Sequence, residues 1–126
     1  MAHLSDTTIH GDLDVLGIAK IHKAVENKGN VSGTILFDLN LYGSIKLTIT
    51  GNTTFNLTGN YTDDKMYITE ILITNGGAHT LTWPSIFKFG SGSIPSLTTP
   101  GTDSLTLVTI DGGTTCRVLM NARDIK

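Results

Sequence analysis

Residues 73–115 read I-T-N-G-G-A-H-T-L-T-W-P-S-I-F-K-F-G-S-G-S-I-P-S-L-T-T-P-G-T-D-S-L-T-L-V-T-I-D-G-G-T-T. An aliphatic strand runs into Asn75-Gly76-Gly77, a hairpin signal because these residues accept positive φ at little cost. The next strand carries Leu81 and the only tryptophan, Trp83, and stops at Pro84, which has no N–H to give a ladder. A Gly/Ser/Pro loop follows, with Phe87, Phe89, Ile94 and Leu97 as its anchors. Two last strands, at residues 104–110 and 114–120, flank the turn Asp111-Gly112-Gly113. The stretch holds no nucleophile with a base, no acid pair and no ligand cluster, so it reads as architecture.

The chain on its N-terminal side repeats the pattern. Ile35, Phe37 and Leu39 alternate with polar neighbours, as do Ile45, Leu47 and Ile49, each marking a strand with one buried face. Leu41 to Ser44 and Gly51-Asn52 read as turns, with Phe55 and Leu57 pointing inward on the return. Residues 66–74 are apolar on both parities, which predicts a central strand covered on both faces or a bulge near Glu70. No window has helical periodicity. About seven or eight short strands with Gly or Asn turns predict an all-β domain, an antiparallel β-sandwich or jelly-roll-like fold.

A chain of 126 residues suits one domain that buries a real core. Charged residues are 16% and the net charge is −2, with Lys and Arg scattered, so no basic face for nucleic acid is visible. The single cysteine, Cys116, cannot form an intrachain disulfide and sits in a strand pattern as a small core residue. The first residues lack a basic run followed by an apolar one, and no stretch approaches a membrane span, so cytoplasmic synthesis without membrane insertion is expected. Sequons at Asn30, Asn52, Asn56 and Asn60 are expected from chance in an Asn- and Thr-rich chain.

Residues 7–18, T-T-I-H-G-D-L-D-V-L-G-I, place Ile9, Leu13 and Val15 on one parity between glycines. Such a ribbon cannot bury its apolar edge alone. Residues 1–28 are therefore read as an extended N-terminal arm, and 29–126 as the compact domain. The arm's Ile9, Leu13, Val15, Leu16 and Ile18 are the candidate contacts to a neighbouring subunit or another protein.

Candidate chemistry is sparse. Asp12 and Asp14 share a strand face, but calcium needs six to eight converging oxygens and no such loop is present. The four histidines lack ligand spacing. A trimer could bring three copies of His10 or His22 to one axial metal, although solvent-facing side chains are the simpler reading, and no cofactor or metal is assigned. Trp83 could stack on a pyranose ring, with Tyr42 and Tyr61 as further ligand-facing aromatics, against burial of Trp83 at the end of the fold.

The order Phe37-Asp38-Leu39, Leu47-Thr48-Ile49-Thr50-Gly51-Asn52-Thr53-Thr54, Ile71-Leu72-Ile73, Thr82-Trp83-Pro84, Thr99-Pro100-Gly101-Thr102-Asp103 and Asp111-Gly112-Gly113-Thr114-Thr115 resembles a domain of tailed-bacteriophage virion proteins. The likeness spans about residues 31–120, and Cys116 departs from it where an aromatic residue is usual. The step T-x-x-G-D-L-x-V-x-G in the arm is similar to repeats of trimeric fibres. The resemblance implies a non-enzymatic homotrimer in the virion, either a capsid decoration (cement) protein bound to the major capsid protein or a short tail, baseplate or head fibre. A carbohydrate-binding module is the alternative from another class.

Overall fold

The computed structural model describes residue 17 and residues 22–126. Among these the chain is all-β. Its strands are β1 (Ala24–Asp38), β2 (Tyr42–Thr58), β3 (Asp63–Thr74), β4 (Leu81–Thr82), β5 (Phe87–Phe89), β6 (Thr102–Asp111) and β7 (Cys116–Ala122). They bond into one mixed sheet in the order β1-β2-β3-β6-β7-β5, with β4 alongside β2.

Only Leu39, Asn40 and Leu41 separate β1 from β2, yet the two strands are parallel. Parallel neighbours ordinarily need a crossover of about a dozen residues or more. Here the strand itself is the crossover. Ala24 pairs with Tyr42, which follows Asp38 by four residues. Four Cα steps plus one strand spacing reach about 20 Å, whereas a straight strand as long as β1 spans about 46 Å. β1 must therefore curl. The β1–β2 register shifts at Ala24/Val25, Asn27/Gly29 and Val31/Gly33; the extra residue is on β1 ahead of Gly29 (φ 65°), whereas at Gly33 (φ 76°) the extra residues are on β2 between Ile49 and Thr53.

The chain then winds onward, each pass lying beside the last. β1 and β2 are offset by 18 residues at Ala24/Tyr42 and by 20 at Asp38/Thr58. β3 joins β2 in parallel with Ser44 beside Glu70, and β4 with Thr53 beside Leu81. Side chains tie the first corner to the next. Asp38 Oδ1 accepts from the N–H groups of Asn40 (2.9 Å) and Leu41 (3.0 Å), and Asn40 Nδ2 donates to the Asn60 carbonyl at 3.1 Å. The Tyr61 hydroxyl accepts from Leu39 N–H at 2.9 Å and donates to the Thr58 carbonyl at 2.6 Å. Direction reverses only at β6, which runs antiparallel to both β3 and β7.

The alternation read from the sequence sets which side faces in. Phe37, Ile45, Leu47, Ile49, Phe55, Ile71, Ile73, Leu105, Leu107 and Cys116 are all buried. An aromatic line crosses this core. Phe37 stacks on Phe55 at 5.0 Å, Phe55 meets Trp83 at 4.5 Å, and Trp83 lies edge-to-face with Phe87 and Phe89 at 5.2 and 5.4 Å.

Several expectations are corrected. The sheet is mixed rather than wholly antiparallel, because alternation fixes which face is buried and carries no information on the direction of the neighbour. Gly51-Asn52 does not end a strand: it lies within β2, at the irregularity where β2 advances from Ile49 to Thr53 while β1 advances only from Val31 to Gly33. Asn75-Gly76-Gly77 makes a 3-10 turn (Gly76–Ala78), and β4 beyond it pairs with β2 and not back onto β3. Asn75 supplies the positive φ, 58°, but its N–H donates to the Gly101 carbonyl at 2.8 Å. β3 is central as expected but covered on one face only, with Met66 and Ile68 exposed. Its bulge falls between Asp63 and Tyr67 rather than near Glu70. Ala24 to Lys28, counted with the arm, belong to β1.

The aromatic line yields a prediction. Phe55→Ala removes the ring between Phe37 and Trp83 and should cost about 3–5 kcal/mol, read as a lower midpoint in urea with an unchanged slope.

Candidate functional site

Strand parity on β2 and the stop at Pro84 bring Trp83 onto Phe55, so its ring belongs mainly to the core. It is half-buried, and it also lines a shallow cavity of about 310 Å³ with Gly76, Gly77, His79, Leu81, Ile94, Pro95, Ser96 and Leu97. The other two candidate ligand-facing aromatics, Tyr42 and Tyr61, do not line this cavity. Tyr61 instead pairs edge-on with Tyr67 at 5.0 Å, and both hydrogen-bonding roles of its hydroxyl are taken by Leu39 and Thr58. Burial raises its phenol above the usual value. Tyr42 opens β2 beside Glu26, whose negative charge raises the Tyr42 phenol, with burial adding to it. No ring pairing links either tyrosine to Trp83 among the described residues.

Ile9, Leu13, Val15, Leu16, Ile18 and His10 lie outside the described residues. His22 is exposed just ahead of β1. Among the described residues no three His, Cys, Asp or Glu side chains converge to hold a metal. Also among them, no helix is long and apolar enough to cross a membrane. Cys116 is buried on β7, and desolvation pushes its thiol up to about 12, far from the thiolate that redox or nucleophilic chemistry needs.

Two acids organise the loops: Asp111, whose place before Gly112-Gly113 already reads as a turn cap, and Asp103, which the sequence reading passed over. Asp103, at the start of β6, is fully buried. One carboxylate oxygen accepts Thr98 N–H at 2.6 Å. The other accepts the Thr98 hydroxyl at 2.7 Å and Asp124 N–H at 2.9 Å. It thereby joins the loop after β5 to the C-terminal residues. Burial disfavours its charge, but these donors and the nearby Arg123 outweigh that and hold the carboxyl below its ordinary range. Asp111 closes the β6–β7 turn. It accepts from the Thr115 hydroxyl at 2.6 Å, Thr115 N–H at 2.9 Å and the Thr109 hydroxyl at 3.2 Å, which lowers its pKa. The signal for both was the acid flanked by threonines and glycines, T-D and D-G-G-T-T.

The outer face of the sheet has two characters. A polar line crosses β2, β3, β6 and β7. Glu70 accepts from Ser44 at 3.3 Å and Ser104 at 2.9 Å, and Asn121 donates to Ser104 at 3.1 Å and Thr106 at 2.7 Å. Apart from that line, Met66 (63% exposed), Ile68 (48%), Ile110 (47%) and Leu119 (49%) expose aliphatic surface. Exposed apolar area of this kind marks an interaction surface when it is contiguous.

Because Asp103 ionises more readily in the folded chain, its contribution to stability is present above the ordinary aspartate pKa. That contribution is lost as pH falls through the lower, folded value. Asp103→Asn cannot accept on both sides, so it should cost about 1–3 kcal/mol at neutral pH and flatten the acid limb of a pH–stability profile.

Comparison with protein-family models, with curated proteins and with solved structures finds no match to this chain.

Proposed function

We propose that this chain is a non-enzymatic structural protein of a tailed-phage particle, a homotrimer that decorates and cements the capsid. In that reading the curled sheet is the sandwich-like body, and the N-terminal arm grips the shell or a neighbouring subunit through Ile9, Leu13, Val15, Leu16 and Ile18. The observation that carries it is the asymmetry of the sheet. At one end β1, the strand directly following the arm, bonds only to β2 among the described residues. An open parallel edge continuous with an aliphatic segment is suited to assembly by strand pairing. The low charge and exposed Met66, Ile68 and Leu119 point the same way. A short tail, baseplate or head fibre would use the same features. Imaging of virions separates the two, through many copies on the shell or few at a vertex or tail.

The experiment is a truncation that stops before β1. Deletion of residues 1–21 should leave the sheet folded, with the parent far-ultraviolet spectrum, and abolish incorporation into particles. Undiminished incorporation sinks the proposal.

One observation favours a second reading, as a carbohydrate-binding module: Trp83 lines a cavity together with the polar residues His79 and Ser96. Trp83→Ala-sensitive binding on a glycan array supports that reading, and a blank array removes it.

A further inference from the structure

Strand β5 ends at Phe89, where it pairs with Val118, whereas its parallel neighbour β7 runs on to Ala122. The chain turns away at Gly90–Gly92, so beyond Val118 one edge of β7 has no strand beside it among the described residues. Two overlapping cavities of about 380 and 350 Å³ fill this notch. Phe89, Val118 and Met120 lie on the inward parity. Lys88 and Arg117, exposed and side by side in the β5–β7 register, lie on the outward one. Neither cation has a carboxylate partner among the described residues. Adjacent like charges repel, and a carboxylate set between them turns that cost into attraction.

We propose that this notch receives residues 11–17 of a second copy of the chain, G-D-L-D-V-L-G, which extend the line of β5 along β7. The two patterns match side for side. In an extended segment Asp12 and Asp14 share one face, and Leu13 and Val15 the other. Asp12, at the end of the segment nearest β5, falls one rung beyond the Lys88–Arg117 pair, within reach of those long side chains, and Asp14 adds to the same negative face, while Leu13 and Val15 face inward with Phe89, Val118 and Met120. Backbone pairing with β7 satisfies the open edge and gives the register. The inference rests on the reading of the arm as an assembly element, and it names where on the neighbour that arm binds.

A charge swap in the full chain tests it, read as mass against concentration by light scattering. The unmodified chain should self-associate. Lys88→Glu with Arg117→Glu should weaken association by about tenfold or more, and more so at low salt. Adding Asp12→Lys and Asp14→Lys to that variant should restore it. A chain that is monomeric at every concentration overturns the proposal, as does a reversed-charge variant that associates normally. Failure of the swap to restore association, with the circular dichroism intact, does so too. Incorporation into particles is scored separately. Self-association through the notch without incorporation removes the capsid reading and leaves this one standing.

Discussion

Leu39, Asn40 and Leu41 join two strands that run the same way, and most of the fold descends from that link. Parallel partners so close in sequence oblige the first strand to curl back on itself. Curling needs irregularities in the ladder, and the register slips beside Gly29 and Gly33 on β1, the second slip being taken up on β2 between Ile49 and Thr53. Once one pass is curled, the next can only lie beside it. Phe37 then falls over Phe55, and Phe55 reaches Trp83. The aromatic line is thus a consequence of winding as much as of hydrophobicity. The corner at Asp38 repeats the logic in polar terms, since its side chain caps the link and Asn40 and Tyr61 bond it to the following corner.

The C-terminal half obeys a different rule. β6 and β7 are antiparallel and joined by the tight turn at Asp111, and with β5 they make up the far side of the wound sheet. Its loops depend on a buried charge. Asp103 gathers donors from Thr98 and Asp124, so a long loop and the chain's last residues converge on one carboxylate. A buried acid is tolerable only when it is so fully bonded, and these bonds give the irregular segment a defined place.

What was legible in the sequence was periodicity. Ile45, Leu47, Ile49 and Phe55 announced their burial, and Asp111-Gly112-Gly113 announced the one hairpin that forms as read. Direction was not legible. A strand of alternating residues looks the same beside a parallel or an antiparallel neighbour, and Gly51 resembles a turn residue even where β2 passes through it. The role of Trp83 was half-legible, since Pro84 marked the strand end but not the partners Phe87 and Phe89 across the core. The structural part of Tyr61 was not legible, because an aromatic in a polar loop gives no hint that its hydroxyl bonds two backbone groups. Asp103 hid for a similar reason: its donors come from residues five before it and twenty-one after it.

The spacing between neighbouring passes is uneven. Ala24 lies 18 residues from its partner and Asp38 lies 20 from its own. The partners across β2 and β3, and across β2 and β4, lie farther apart still. The ladder therefore constrains the rungs but leaves the corners free in length. Insertions at a corner need not disturb the pairing on either side, and a duplicated pass would find the same template waiting. Such a chain can change size in units of one winding while its antiparallel end stays as it is, so variation in reach and surface is accessible by copying alone.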